Sequence, residues 1–389
     1  MTDDTNIDLH KKTLLEASKP LRLVGIWPTN QSTSRDIRFF IVITYYSIFV
    51  FMEYCDLIAV FGNLDLMILN LLETIFHTIM LIRLYMVKFN KLVLKVIKDI
   101  AENKYDFDLS EEEKKIYTQC HTQGVSSYKI VMQSIITGVT AWYLTPVTNY
   151  VISRMKNESS VLIYPYRIPI FFNVTSFEKI VAIYICEMGI NYFPVCYGGT
   201  CNMIGTAVNN VCCQLTVLTY RVENLNKFIN EKHEYSIFHH FCESHLRIIQ
   251  LTQNIDRAFH LAFLNELLLL TILISLIIYS IILHFDEVEI VDLISSSACA
   301  LLLISIIGLN CTMSQNLIDK STELHNAYWN AYRSDIPVSY QKLLIIPMIC
   351  SQVPLYLTAG QFYIYSLPNF VNILKTSMAY ASMLRTVNA

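Results

Sequence analysis

The chain has 389 residues, of which 53% are hydrophobic and 16% charged, with a mean hydropathy of +0.40 and a net charge of -3. Soluble proteins carry about 25% charged residues, so the composition excludes a soluble globule and indicates a polytopic membrane protein. The slight acidity excludes a basic surface for nucleic acid, and the eleven cysteines, which lack motif spacing, read as small buried hydrophobes.

Residues 1–36 are polar and mixed in charge, and no sustained apolar core precedes residue 38. The first span is therefore expected to direct insertion itself. The piece LRLVGIWP is expected at the membrane surface. Span one covers 37–60, with Glu53 and Asp56 towards one end, and turns at Gly62 and Asn63. Span two covers 66–87; at about 1.5 Å per residue it can cross a hydrocarbon core of about 30 Å. Within it Glu73 and His77 stand four apart and share a helix face. They either pair with each other or present a polar group to a ligand.

Residues 88–123 are charged with a helical pattern. Span three covers 128–150. The loop after it carries two glycosylation sequons, at Asn157 and Asn173. Span four covers 177–210 and is expected to break at Pro194 and at Gly198 and Gly199. Residues 211–256 are amphipathic and should leave the bilayer. Span five covers 261–283. Span six covers 293–313 and should continue as a polar helix over 315–335, since no breaker occurs before Pro337. A short amphipathic piece follows at 339–351, and span seven covers 355–387. The expected fold is an all-α membrane protein with seven transmembrane helices and no internal repeat.

Basic residues set the orientation. They concentrate in the N-terminal tail and after spans two, four and six, while the loops after spans one and five have none. The N-terminus is expected in the cytoplasm and the C-terminus outside. Asn157 and Asn173 then lie outside, where glycosylation occurs; Asn30 votes the other way.

No residue pattern matches a catalytic site, so no enzyme, cofactor or metal is expected. His239, His240, Cys242 and His245 fit no zinc spacing and read as a solvated helix face. Asp256 and Arg257 precede span five rather than end span three, which argues against a G-protein-coupled receptor. Recognition and gating remain. The outer halves of spans two, three, four and six offer walls for a small apolar ligand. Candidate residues are Leu72 and Phe76; Ile135, Gly138 and Trp142; Met188 and Tyr192; and Ser296 and Ala300. Ordinary helix packing is the competing role for each.

The last span is polar at helical intervals. Asn369, Asn372, Thr376, Tyr380, Met383 and Val387 share a face that turns apolar at its last two positions. Either the face packs against neighbours through small polar contacts, or it lines a pore closed by an apolar ring.

The run TAGQFYIYSLPNFVNILKTSMAYASML resembles the last transmembrane helix of insect odorant receptors. The matching positions are Ala359, Gly360, Phe362, Ser366, Phe370, Ile373, Leu374, Lys375, Thr376, Ser377, Ala379, Tyr380 and Leu384. The block SQNLIDKSTELHNAYWNAYRSDIPVSYQKLL resembles the same family's link from span six to span seven. The resemblance implies a subunit of an odorant-gated, non-selective cation channel in the plasma membrane of olfactory neurons. It implies a heterotetramer with a shared co-receptor, each subunit giving span seven to one central pore. Asn372, Thr376 and Tyr380 would line that pore, Met383 and Val387 would gate it, and the block 314–351 would anchor subunits together. The ligand would be a small volatile molecule held in the outer half-helices. The short link between spans four and five implies a ligand-tuned subunit rather than the co-receptor. The alternative is a seven-span G-protein-coupled receptor.

Overall fold

Residues 8–27, 33–101, 109–156, 162, 164–167, 177–225, 234–283, 290–333 and 337–388 are described by a computed structural model. Among them, eleven α-helices account for nearly all regular structure. They are α1 (Asp8–Leu23), α2 (Thr33–Ala59), α3 (Leu64–Phe89), α4 (Lys91–Ala101), α5 (Glu111–Met155), α6 (Phe177–Met188), α7 (Tyr192–Glu223), α8 (Glu234–Leu283), α9 (Ile290–Arg333), α10 (Val338–Ser351) and α11 (Leu367–Asn388). A 3₁₀ turn, Gly189–Asn191, joins α6 to α7, and a two-stranded antiparallel hairpin, β1 (Thr358–Ala359) and β2 (Tyr363–Ile364), precedes α11.

Among the described residues, five helical stretches are long and apolar enough to cross a membrane: Thr33–Ala59, Leu66–Phe89, Glu178–Glu223, Phe241–Ile282 and Ser296–Arg333. The third and seventh expected spans fall in α5 and α11, which are more polar. Helices α5, α8 and α9 hold 45, 50 and 44 residues. At about 1.5 Å per residue each exceeds a core of about 30 Å and must project beyond it. The protein is an all-α membrane protein. Its apolar exposure fits a hydrocarbon solvent. Helix α2 turns Phe40, Ile41, Ile48, Phe51 and Ile58 outward while Phe39, Ile43, Tyr46 and Phe49 pack inward.

Local signals start the helices where side chains can satisfy free N–H groups. Asn63 accepts from the Leu66 amide at 3.2 Å to cap α3. Ser110 and Glu113 form a capping box on α5. Burial opposes charge on Glu113, but hydrogen bonds from Arg221 and the Ser110 amide outweigh it and hold the carboxyl below its usual range. Arg221 of α7 grips both carboxylate oxygens, at 2.6 and 3.1 Å, tying α5 to α7.

Helix α7 is the centre of the body. From Phe193 to Val222 almost every side chain is buried, and α1, α5 and α9 pack around it. The expected break at Pro194, Gly198 and Gly199 does not occur. Pro194 sits in the first turn of α7, where its missing N–H costs nothing. Gly199 instead admits α1: a Cβ there would stand 2.9 Å from Pro20 Cγ and 3.2 Å from the Ala17 carbonyl. The break lies one turn earlier, at the 3₁₀ segment. In the piece LRLVGIW, Leu21, Val24, Ile26 and Trp27 are buried in the protein and Leu23 is exposed. His245 departs from the solvated face expected for it and packs 5.7 Å from the Tyr328 ring. All eleven cysteines are free thiols.

The expected seventh span does not begin at residue 355. Leu355 to Ser366 run as an extended piece and hairpin whose backbone is met by neighbouring helices. Ser321 and Ser314 of α9 accept from the Leu355 and Leu357 amides, each at 2.9 Å. Asp256 of α8 accepts from the Thr358 amide at 2.7 Å, and the Gly360 amide donates to the His260 carbonyl at 2.9 Å. The backbone amides of Leu355, Leu357, Thr358 and Gly360 are thus satisfied by protein groups, while Gln361, Phe362 and Ile364 at the hairpin tip are exposed.

The hairpin turns on Gly360 and Gln361, with φ of 66° and 68°. Three residues, Gly360, Gln361 and Phe362, close the loop between the paired Ala359 and Tyr363, and left-handed residues let so short a connection reverse the chain. Gly360→Ala is expected to cost about 1–2 kcal/mol, because a Cβ would also stand 2.6 Å from the Phe362 ring and 2.8 Å from Leu264. A lowered unfolding midpoint of the detergent-solubilised protein checks this; an unchanged midpoint would show that the turn relaxes freely.

Candidate functional site: an apolar cavity and the last helix

A cavity of about 750 Å³, counted out to its mouth, lies among α3, α5, α7, α8 and α9. Helix α3 gives Leu72, Glu73, Phe76 and His77, and α5 gives Gly138, Val139, Ala141 and Trp142. Pro194 comes from α7, Leu273 and Ile277 from α8, and Ala298, Cys299, Leu302 and Leu303 from α9. Tyr166 closes the wall from the segment after α5. The walls are aliphatic and aromatic, the chemistry that holds an apolar molecule by burial. Gly138 leaves the room: a Cβ there would meet Leu302 Cδ1 at 2.5 Å.

Of the residues that periodicity marked, Leu72, Phe76, Gly138 and Trp142 line this cavity. Ile135 lies one turn along α5 from Gly138 and is buried towards α7, where a Cβ on Gly198 would be 3.5 Å from its Cδ1. Met188 ends α6 at 66% exposure, and the Tyr192 hydroxyl donates to the Pro20 carbonyl at 3.2 Å. A 3₁₀ turn advances about 120° per residue instead of about 100°. The three residues Gly189–Asn191 therefore offset the faces of α6 and α7 by about 60° from those of one continuous helix. Ser296 and Ala300 are half-buried outside the lining; the α9 face that lines it begins at Ala298 and Cys299.

The polar wall is built across helices. His77 pairs with Glu53 of α2, Nδ1 to Oε1 at 2.7 Å, and not with Glu73 as spacing suggested. Rings of Tyr46, Phe49 and Tyr166 box the imidazole at 5.8, 5.6 and 5.3 Å. Glu73 Oε2 instead accepts from the Arg167 backbone N–H at 2.9 Å. The Arg167 guanidinium faces Asp56 at 3.5 Å.

A second polar centre lies about two turns along α3. Arg83, 2% exposed, forms an ion pair with Glu266 of α8, 1% exposed. Asn310 of α9 donates to the other carboxylate oxygen at 2.8 Å, and Arg83 Nε donates to Thr200 of α7 at 3.3 Å. The guanidinium also sits 5.4 Å from the Tyr197 ring and 5.5 Å from the Phe263 ring. Four helices meet at this cluster. Periodicity does not single it out, yet its signal was present: a lone Arg in span two and a lone Glu in span five, which hydrocarbon drives together.

Helix α11 shows three faces. Ile373, Ser377 and Ala381 are buried; the Ser377 hydroxyl stands 3.5 Å from the Thr271 carbonyl of α8, and Ala381 joins a cluster with Leu276 and Tyr279. Leu367, Val371 and Met378 form an exposed apolar stripe. Asn372, Thr376, Tyr380 and Met383 form a second exposed stripe. The side chain of Val387 lies outside the described residues, as do Asn157 and Asn173. Among the described residues, no group of three His, Cys, Asp or Glu side chains could hold a metal.

The fold matches solved structures. The olfactory receptor OR5 of Machilis hrabei, in complex with eugenol, superposes with a TM-score of 0.82 at 15% identity, covering 99% of this chain and 100% of that one. A second structure of the same receptor gives a TM-score of 0.79 at 14% identity, with the same coverage. In sequence, Odorant receptor 13a of Drosophila melanogaster is 24% identical over 227 residues, which span 51% of this chain and 53% of that protein. The chain thus spans about half the length of this curated relative. A family model described as 7tm Odorant receptor matches residues 63–378. From the cap of α3 to the middle of α11, this chain belongs to the 7tm odorant receptor family.

Proposed function

We propose that this chain is the ligand-tuned subunit of an odorant-gated, non-selective cation channel in the plasma membrane of olfactory neurons. The observation that carries the reading is the aromatic-walled cavity between α3, α5, α8 and α9, inside a member of the odorant receptor family. A small volatile organic molecule would bind there by burial and shape. Coupling to opening would follow from better binding to the open arrangement, which shifts the population.

In this reading the N-terminus is cytoplasmic, the C-terminus is outside, and Asn157 and Asn173 carry glycans. The stripe of Asn372, Thr376 and Tyr380 lines a central pore, with Met383 and Val387 as its gate. Exposure of that stripe supports it, because a single chain leaves it without a neighbour. The block 314–351 anchors co-receptor subunits in a heterotetramer. Trp329, Val338, Ile345, Ile346 and Ile349 are exposed there, apolar side chains suited to a subunit contact.

The test is current. The chain is expressed with and without an odorant co-receptor, challenged with volatile compounds, and assayed with G-protein signalling blocked. A fast cation current that needs the co-receptor and survives the block supports the channel. A response lost under the block turns the reading to a G-protein-coupled receptor. Within the channel reading, Trp142→Ala should weaken potency about tenfold or more through lost aromatic burial, with surface expression near wild type. Lost expression with equal loss for every ligand would assign Trp142 to packing.

A further inference from the structure

The cavity carries an unusual group for an apolar site, the carboxyl of Glu73. Four other lining residues offer polar atoms, and each is spent or unsuited as an acceptor. The Tyr166 hydroxyl donates to Asn191 Oδ1 at 2.7 Å. His77 Nδ1 is held by Glu53, and three aromatic rings enclose its imidazole. The Trp142 indole N–H can only donate and is engaged with Glu73 itself, and the Cys299 thiol is a weak partner. Glu73 is 8% exposed; it accepts from the Arg167 amide at 2.9 Å and also from the Trp142 side chain, which leaves further lone pairs on its two oxygens for a ligand donor. Among the described residues no cationic side chain forms an ion pair with it; the Arg167 guanidinium faces Asp56.

Building on the ligand reading above, we propose that this site selects small apolar molecules carrying one O–H or N–H donor, which Glu73 receives. A ligand without a donor would strip water from the carboxyl and return nothing. A pocket built around a hydrogen bond rejects the analogue lacking it far more strongly than an apolar pocket rejects a change of shape. The rest of the wall, from Leu72 and Phe76 to Leu302, grips only the hydrocarbon body.

Binding to the purified, detergent-solubilised chain tests this without requiring a channel. Probes are 2-phenylethanol, its methyl ether and 2-phenylethylamine, read by thermal shift and by Trp fluorescence. The donor probes should bind about tenfold or more tighter than the ether. Glu73→Leu should bring the alcohol-to-ether ratio near one, by loss of alcohol binding while the ether is unaffected. Glu73→Gln keeps the volume and an acceptor oxygen, so it should retain part of the alcohol preference. It should lose more of the amine's, which separates a hydroxyl donor from a cationic one. Monodisperse elution confirms that each variant folds.

A ratio near one in the wild type, or a wild-type ratio surviving Glu73→Leu, overturns the assignment. So does failure of both donor probes to bind at millimolar concentration. Absence of current with binding selectivity intact would overturn the channel reading alone.

Discussion

Arg83→Met should remove most of the folded protein from the membrane. The substitution leaves Glu266 buried at 1% exposure without its cation, and Asn310 alone cannot balance a carboxylate. Breaking a buried pair from one side costs about 3–5 kcal/mol, a large part of the stability of a typical domain. The expected observations are a severe loss of monodisperse yield and a lowered unfolding midpoint. The double variant Arg83→Met with Glu266→Met should be milder than Arg83→Met alone, because it leaves no orphaned charge. That ordering separates electrostatics from packing. A single variant with a wild-type midpoint would show that the cluster does not hold α3, α7, α8 and α9 together.

The second large effect is expected at the end of α11. On the proposed reading, Met383→Asp places a carboxylate in an apolar constriction and keeps it wet. Current without ligand should rise several-fold over the wild type in cells expressing the co-receptor. Met378→Asp is the matched control. Met378 is equally exposed at 63%, but it lies five residues away, roughly 140° round the helix. It should impair insertion without producing leak. Normal closure in Met383→Asp would remove Met383 from the gate, and leak from Met378→Asp would move the pore to the other stripe.

These two sites differ in how far the sequence reveals them. The polar stripe of α11 is legible because it lies within one helix, where 3.6-residue periodicity sets which side chains share a face. Arg83 and Glu266 stand 183 positions apart, and only the approach of two helices makes them a pair.

The sequence by itself determined the membrane class, five long apolar helices and the family, since each rests on local composition or a contiguous motif. It also marked Leu72, Phe76, Gly138 and Trp142, whose helices run unbroken past the cavity. The tertiary structure decided the rest. It gave His77 to Glu53 and Glu73 to the Arg167 amide, it turned Met188 and Tyr192 away through a 3₁₀ turn, and it replaced the start of span seven with a hairpin held by Asp256. The physical reason is common to all three. Hydrophobicity and helical period act along one chain segment, whereas a buried polar group takes its partner from whichever helix packing brings within reach, and that is set by the register between helices.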